Sequence, residues 1–423
     1  MKIVTFIILL GISISASGLI IFVVNSGSET LSRIDTVAGE VDNVFAVLGN
    51  QANRIALYDD CGLVVNSGDN NLQKINLNSG ATISYIYLEP AANPYDLTIY
   101  QDHAYVSGAL SNRIYKVNLQ QEIMVDAVQV GNNPAGLAVY NNKLYVGNTN
   151  YTAGYENCTV SVVDLDSFSL VSEIPVPANP QFLMFYADML HVCCTGNWVD
   201  ETGIVVVIDP VTGDTIASIE IGGYPVFFAE TGSETIYLAD ALNEGIYAYD
   251  ANSFEIIYDT MHPFLPGGSA VAGSPQGLAV LGGEWGQNFD VWYYDNNEVL
   301  LGNYTVGVYG TDIKIREEGS AVDENLDIGS GIILEQNYPN PLYLHDKRGI
   351  TPTVIHYHIF EAGKVNIELF DIKGKRVAML YTGWQVAGSH MIAWRPQSLL
   401  PGIYIYRLST ISQQQFRKLC ILK

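Results

Sequence analysis

Positive charge is scarce in this sequence. Its 423 residues carry 20 Lys and Arg against 44 Asp and Glu, a formal charge of −24, and the pI is about 4.4. Such a chain repels phosphate instead of releasing its counterions, which excludes free nucleic acid as a partner. Charged residues make up only 15 % of the chain and hydrophobic ones 48 %. That is enough apolar material for a large core and argues against global disorder. A mean hydropathy of +0.16 argues equally against a multi-span membrane protein. Helix-forming runs of Lys, Glu and Ala are missing, whereas Gly (39) and Tyr (27) are plentiful. This composition predicts an all-β chain of many short strands joined by tight turns. Cysteine is also sparse: the five at 61, 158, 193, 194 and 420 are odd in number and scattered, so they declare no disulfide framework. Cys193 and Cys194, adjacent on a strand, point to opposite faces and read as buried small hydrophobes.

The charge is unevenly distributed. From Gly331 onward there are 11 Lys and Arg against 5 Asp and Glu, and before it 9 against 39. Between the two bodies runs a polar, acidic, glycine-bearing stretch from Glu317 and Glu318 through Asp323, Glu324 and Asp327, with too little apolar content to pack. The chain therefore divides into 18–318, an acidic linker over 319–333, and a C-terminal domain over 334–423. Ahead of these, Met1-Lys2, an apolar run over 3–14 and small residues at Ser15, Ala16, Ser17 and Gly18 form the three-part pattern of a signal peptide over 1–17. The competing reading is an uncleaved anchor, because 19–24 is apolar again and the combined stretch is long enough to span a bilayer. Under cleavage the mature protein has no membrane span.

An internal repeat organises the larger body. Strand-like runs ending in an apolar or aromatic residue followed by Asp or Asn recur at Asp35, Asn76, Asn118, Asp164, Asp209, Asp250 and Asp295, spaced 41, 42, 46, 45, 41 and 45 residues apart. An Asp or Asn in that place bonds backbone amides two residues on and starts a hairpin turn. Ahead of several endpoints lies another strand with a polar end, as in Phe22-Val-Val-Asn25, Leu63-Val-Val-Asn66, Ala104-Tyr-Val-Ser107 and Leu144-Tyr-Val-Gly-Asn148. Earlier still, a strand opens with Pro94, Pro134, Pro180 or Pro225, where a missing donor is harmless. Each period of 40 to 45 residues thus supplies four strands that cannot bury both faces alone, and the period is that of a propeller blade. The first unit lacks its first strand, and 309–316 looks like a first strand with nothing after it. Pairing the two completes a seventh blade.

The strand endings resemble the YVTN family of surface-layer propellers, related to lactonase-like and NHL-type rings, through Val23-Val-Asn-Ser-Gly-Ser-Glu-Thr-Leu-Ser-Arg-Ile-Asp35 and Leu144-Tyr-Val-Gly-Asn148. The resemblance implies an extracytoplasmic scaffold or binding protein and supplies no catalytic residue. The C-terminal stretch resembles the type A sorting domain of the type IX secretion system. The matching pieces are Asn337-Tyr-Pro-Asn-Pro341, Glu361-Ala-Gly-Lys-Val365, Leu369-Phe-Asp-Ile-Lys-Gly-Lys-Arg-Val377, Gly388-Ser-His390, Trp394, Gly402-Ile-Tyr-Ile-Tyr-Arg-Leu408 and the ending Arg417-Lys418 to Lys423. Leu342 departs from the family's usual Phe. What this resemblance implies is export across the outer membrane of a Gram-negative cell by the type IX machinery, then release or attachment at the surface. The alternating Val365-Asn-Ile-Glu-Leu-Phe370 and Ile403-Tyr-Ile-Tyr-Arg-Leu408 read independently as a small antiparallel sandwich, Ig-like in class.

The expected fold is thus a seven-bladed β-propeller followed by an Ig-like β-sandwich. Loops joining second and third strands share a rim with the connections between blades, so that rim gathers residues from every repeat. Two of these loops are long, 147–157 and 194–202, and carry Asn148, Tyr151, Tyr155, Trp198, Asp200 and Glu201; the matching loop of the last full repeat carries Glu284 and Trp285. Exposed aromatics beside carboxylates suit a sugar or a peptide ligand. The competing reading gives the two tryptophans a purely packing role at the ends of blade interfaces. No GxSxG or HExxH occurs, and the sequence names no cofactor. The reading is a binding or scaffold protein. The alternative is a metal-dependent hydrolase or lyase at the propeller channel, since lactonase-like and lyase-like rings gather carboxylates, amides and His there. His356 and His358 share a strand face at i, i+2 and have the spacing of a metal pair, but they fall in the export domain.

Overall fold

The computed structural model describes residues 18–317 and, beyond them, 332–334, 337, 342–343, 353–359, 362–371, 375–386, 388–396, 399–410 and 414–422. The expected signal peptide and nearly all of the expected linker lie outside the described residues. The chain separates into two compact units, 1–320 and 321–423.

Among its described residues the larger unit is all-β apart from a single 3-10 turn at Tyr151–Ala153, and it repeats one motif: a four-stranded antiparallel sheet, seven times. Its first strands are Ala52–Tyr58, Pro94–Tyr100, Pro134–Tyr140, Pro180–Tyr186, Pro225–Glu230, Ala270–Ser274 and Gly310–Glu317. The second strands are Leu19–Asn25, Cys61–Asn66, His103–Gly108, Lys143–Asn148, Met189–Cys194, Thr235–Asp240 and Gly277–Gly282. Sheets are counted here by the order of these second strands. Six of the third strands end at the repeat positions read from the sequence, and the seventh, Ile204–Ile208, stops one residue before Asp209. At each end the Asp or Asn side chain accepts from following amides, for example Asp35 Oδ1 from Val37 and Ala38, Asn76 Oδ1 from Asn78 and Ser79, and Asp250 Oδ1 from Asn252 and Ser253. The bonded Ser253 amide and hydroxyl hold the Asp250 carboxyl below its ordinary range.

Burial falls from the second strand outward. All seven residues of Leu19–Asn25 are buried, whereas Ser169–Pro175, a fourth strand, is almost wholly exposed. Three second strands end on a buried Asn that ties them to the third: Asn25 Nδ2 donates to Ser32 Oγ at 2.8 Å, Asn66 Nδ2 to Asn71 Oδ1 at 2.9 Å, and Asn148 Nδ2 to Ser161 Oγ at 2.8 Å. First strands pack on first strands. Ala52–Tyr58 lies between Gly310–Glu317 and Pro94–Tyr100, Pro134–Tyr140 between Pro94–Tyr100 and Pro180–Tyr186, and Ala270–Ser274 between Pro225–Glu230 and Gly310–Glu317. The pairing expected between the two ends of this unit is present, with Val23 opposite Ile313 in an antiparallel ladder.

The smaller unit has a three-stranded and a five-stranded sheet. Side chains from both, including Leu334, Tyr357, Ile367, Tyr406 and Ile421, form one apolar core. The pairing is antiparallel except that Leu342–Tyr343 runs parallel to Gln414–Leu422, a departure from the all-antiparallel expectation. Two guanidiniums, Arg376 and Arg407, bracket Glu368 and hold its carboxyl below the usual range. The side chains of His356 and His358 lie outside the described residues.

Candidate functional site

The first strands carry β-bulges near their starts, with register shifts between Ala52 and Arg54, Pro94 and Leu97, Pro180 and Phe182, and Val226 and Ala229. A bulge leaves residues unpaired and re-aims their side chains. Residues in and beside these bulges, Asn53, Arg54, Tyr95, Gln181, Phe182, Val226 and Phe227, line a cavity of about 650 Å³. Phe227 reaches its place through a left-handed backbone, φ 59°. Loop residues complete the lining, among them Trp198, Asn243, Glu284, Trp285 and Tyr309.

Among the described residues, Arg54 is the only cation in this wall. It is 7 % exposed, donates from Nη1 to Thr311 O at 2.7 Å and Asn53 O at 3.1 Å, and reaches Tyr95 Oη from Nη2 at 3.5 Å. Its guanidinium carbon stands 4.6 Å from the centre of the Phe227 ring and 5.2 Å from those of Phe182 and Tyr95. Phe182 and Phe227 stack at 4.5 Å. Such cation–π contacts compensate part of the lost hydration of a buried charge. Tyr95 passes its hydroxyl hydrogen to Gln181 Oε1 at 2.9 Å, and burial raises its pKa against the opposing pull of Arg54.

The mouth is aromatic. Trp198 stacks on Tyr224 at 4.9 Å and 20°, and Trp285 meets Tyr309 edge-on at 4.1 Å. The loop that presents Trp198 is built by Asn197, whose Oδ1 accepts from the amides of Val199, Asp200 and Glu201, each at 3.0 Å. Trp285 is 77 % exposed.

The eight residues expected at the rim separate. Trp198, Glu284 and Trp285 enter the main cavity. Tyr151 and Tyr155 line a neighbouring cavity of about 90 Å³ that shares Tyr95 and Gln181 with it. Glu201 lines a third, of about 310 Å³, beside Cys194 and Glu220. Asp200 is exposed and accepts from Asn197 Nδ2 within its own loop. Asn148 is a correction: it is 2 % exposed and its amide ties two strands together, so it faces the sheet and not a ligand. Arg54, Tyr95, Gln181, Phe182 and Phe227 were missed by the loop argument. Their signal was the position just behind the strand-opening prolines, which holds for all but Arg54. Of the groups a hydrolytic centre calls on, Asn53, Gln181, Asn243 and Glu284 reach the cavity. Asn243 Oδ1 is already bonded to the Gly268 amide, and among the described residues no three His, Cys, Asp or Glu side chains gather as a metal site.

No family model matches the chain, and no curated protein does. Among solved structures it is similar to Kuenenia stuttgartiensis hydrazine synthase, with 13 % identity, 62 % of this chain and 88 % of that chain covered, and a TM-score of 0.51. It is also similar to the computationally designed Ika8 protein, with 13 % identity, 66 % and 94 % covered, and a TM-score of 0.47, too slight a likeness to add to the first. The fold is β-propeller-like. At this identity the likeness is one of fold alone, and fold does not carry function with it.

Proposed function

We propose that this is a secreted or cell-surface binding or scaffold protein, with its ligand site in the aromatic-mouthed cavity of a closed seven-bladed propeller. The reading of a closed ring is supported by the succession of first strands packed on first strands and by the ladder joining Leu19–Asn25 to Gly310–Glu317. Residues from six different sheets supply the cavity wall, and their convergence is the observation that carries the binding reading. A cavity of about 650 Å³ with a few convergent polar groups lies in the range of small-ligand sites. The C-terminal unit is proposed as a type IX sorting domain of Ig-like form. Its support is the motif series from Asn337 to Lys423 and the single core shared by its two sheets.

Binding is tested by screening the protein against oligosaccharide and peptide libraries and repeating the best hit with Trp198→Ala and Trp285→Ala. Each is expected to weaken binding about tenfold, about 1.4 kcal/mol, with little change in melting temperature. A fall in melting temperature with affinity intact would assign both indoles to packing. Export has its own test. A chain lacking 334–423 is expected to stay in the periplasm, and its undiminished appearance outside the cell would remove the sorting role.

A further inference from the structure

The larger unit is strongly acidic, with 9 Lys and Arg against 39 Asp and Glu before residue 331. A guanidinium buried in the wall of its main cavity therefore calls for an explanation. Arg54 has three hydrogen-bond partners, two backbone carbonyls and a phenol, none of them anionic. Among the described residues no carboxylate lies within 4 Å of it. A guanidinium offers five N–H groups. Three are spent on those oxygens, and Nε is buried without a partner. Burying a charge in this state is costly unless something anionic completes it.

The carboxylates nearby attract it only from beyond hydrogen-bond distance and spend hydrogen bonds on other groups. Asp96, two residues behind the proline that opens its strand, accepts from the Leu137 amide at 3.2 Å. Asp312 accepts from the Ile55 amide at 2.9 Å and pairs with Lys314 at 3.2 Å. Each stitches its own first strand to the next one or to its own neighbour. Among the described residues, Glu284 is the one carboxylate in the cavity lining, on a loop of the seventh sheet and outside hydrogen-bond reach of Arg54. It disfavours a second negative group at its own position and so favours a ligand charged at one end.

We propose that the cavity takes a sugar bearing a single carboxylate, a uronate, with the carboxylate against Arg54 and the ring faces against Trp198 and Trp285. This rests on the binding reading above and adds the chemical class of the ligand. The sugar is favoured over a peptide by the mouth. Two indoles present flat apolar faces, and Asn53, Gln181 and Ser269 supply polar side chains in the same lining for hydroxyls.

The test is calorimetric titration of the full chain with a panel of oligosaccharides carrying one uronate each, and with the same panel after reduction of the carboxylate to the neutral alcohol. At least one acid is expected to bind ten times more tightly, or better, than its reduced partner, an advantage that shrinks as salt rises. Arg54→Gln should erase the advantage, so that on this variant acid and reduced sugar bind alike, while Arg54→Lys keeps part of it. Equal affinity of acids and reduced partners overturns the charge assignment and leaves the binding reading standing. Tighter binding of an aspartate-bearing peptide overturns the sugar assignment. If neither sugars nor peptides bind, the binding reading itself falls and this one with it. Should Arg54→Gln fail to fold, the comparison of acid with reduced sugar on the unaltered chain still decides.

Discussion

His191 sits on the second strand of the fifth sheet, 1 % exposed, with Nδ1 2.6 Å from Tyr249 Oη and its ring stacked on that tyrosine. Burial lowers its pKa from 6.5 to about 4. Above pH 6.5 the ring is neutral both folded and unfolded, and the fold is undisturbed. As pH falls from 6.5 to 4 the unfolded chain takes up a proton that the folded one refuses, so stability is lost, by up to about 3 kcal/mol. Asp96 works in the opposite sense. Burial raises its carboxyl from 3.8 to about 6 against the pull of Arg54, so the folded state gains a proton first and stability rises as pH falls through 6. In the unaltered protein the two partly cancel. Asp96→Asn keeps an acceptor for the Leu137 amide and should be more stable at pH 7 by up to about 3 kcal/mol, while exposing the full acid loss due to His191. His191→Phe added to it should flatten that loss, at a cost of about 1 to 3 kcal/mol for the stranded Tyr249 hydroxyl. Urea unfolding between pH 7 and 4.5 checks both, and an unchanged slope in the double variant would clear His191 of the effect.

Between sheets, the closest approach is made where side chains are smallest. Gly136, in the first strand of the fourth sheet, faces the first strand of the fifth, and a Cβ built on it would stand 2.3 Å from Gln181 O and 2.9 Å from Phe182 Cα. Both are backbone atoms and cannot swing aside. Gly136→Ala should therefore push the two strands apart and cost about 2 kcal/mol, disturbing the cavity wall at Gln181 and Phe182 as well. Gly363→Ala, where nothing lies within 4 Å, is the control and should melt unchanged. The same contrast between local and distant contacts decides what could be read from the sequence. Third-strand ends were legible because Asp35, Asn76 and Asp250 bond amides two or three residues away, so cause and effect sit in one short window. Trp198 and Trp285 were legible because they stand out in loops. Arg54 was not, since it reads as an ordinary polar residue in an alternating strand, and its partners Thr311 and Phe227 are more than 150 residues away. Asn148 misled for the converse reason: a polar strand end looks the same whether its amide faces solvent or, as here, Ser161 and Thr159.

At the scale of the molecule, one strand bears on both stability and site. Gly310–Glu317 pairs with Leu19–Asn25, every residue of which is buried, and packs against Ala52–Tyr58 on one side and Ala270–Ser274 on the other. It also supplies Thr311 O to Arg54 and the Asp312 carboxylate to the Ile55 amide. Two truncations isolate it. A chain ending at Glu317 keeps the strand, and one ending at Tyr309 loses it, so the difference between them belongs to these residues alone. Without the strand, Leu19–Asn25 becomes an apolar edge with unpaired amides and carbonyls, the kind of edge that pairs with other chains. Arg54 loses its shortest hydrogen bond at the same time, which leaves a buried charge with a further open donor. The shorter chain is expected to aggregate and to melt lower by several degrees, whereas the longer one stays soluble with a single sharp transition. Equal solubility and equal melting of the two would mean that the ends of this unit are held together by something other than their ladder, and that Arg54 is positioned by the aromatic rings rather than by Thr311.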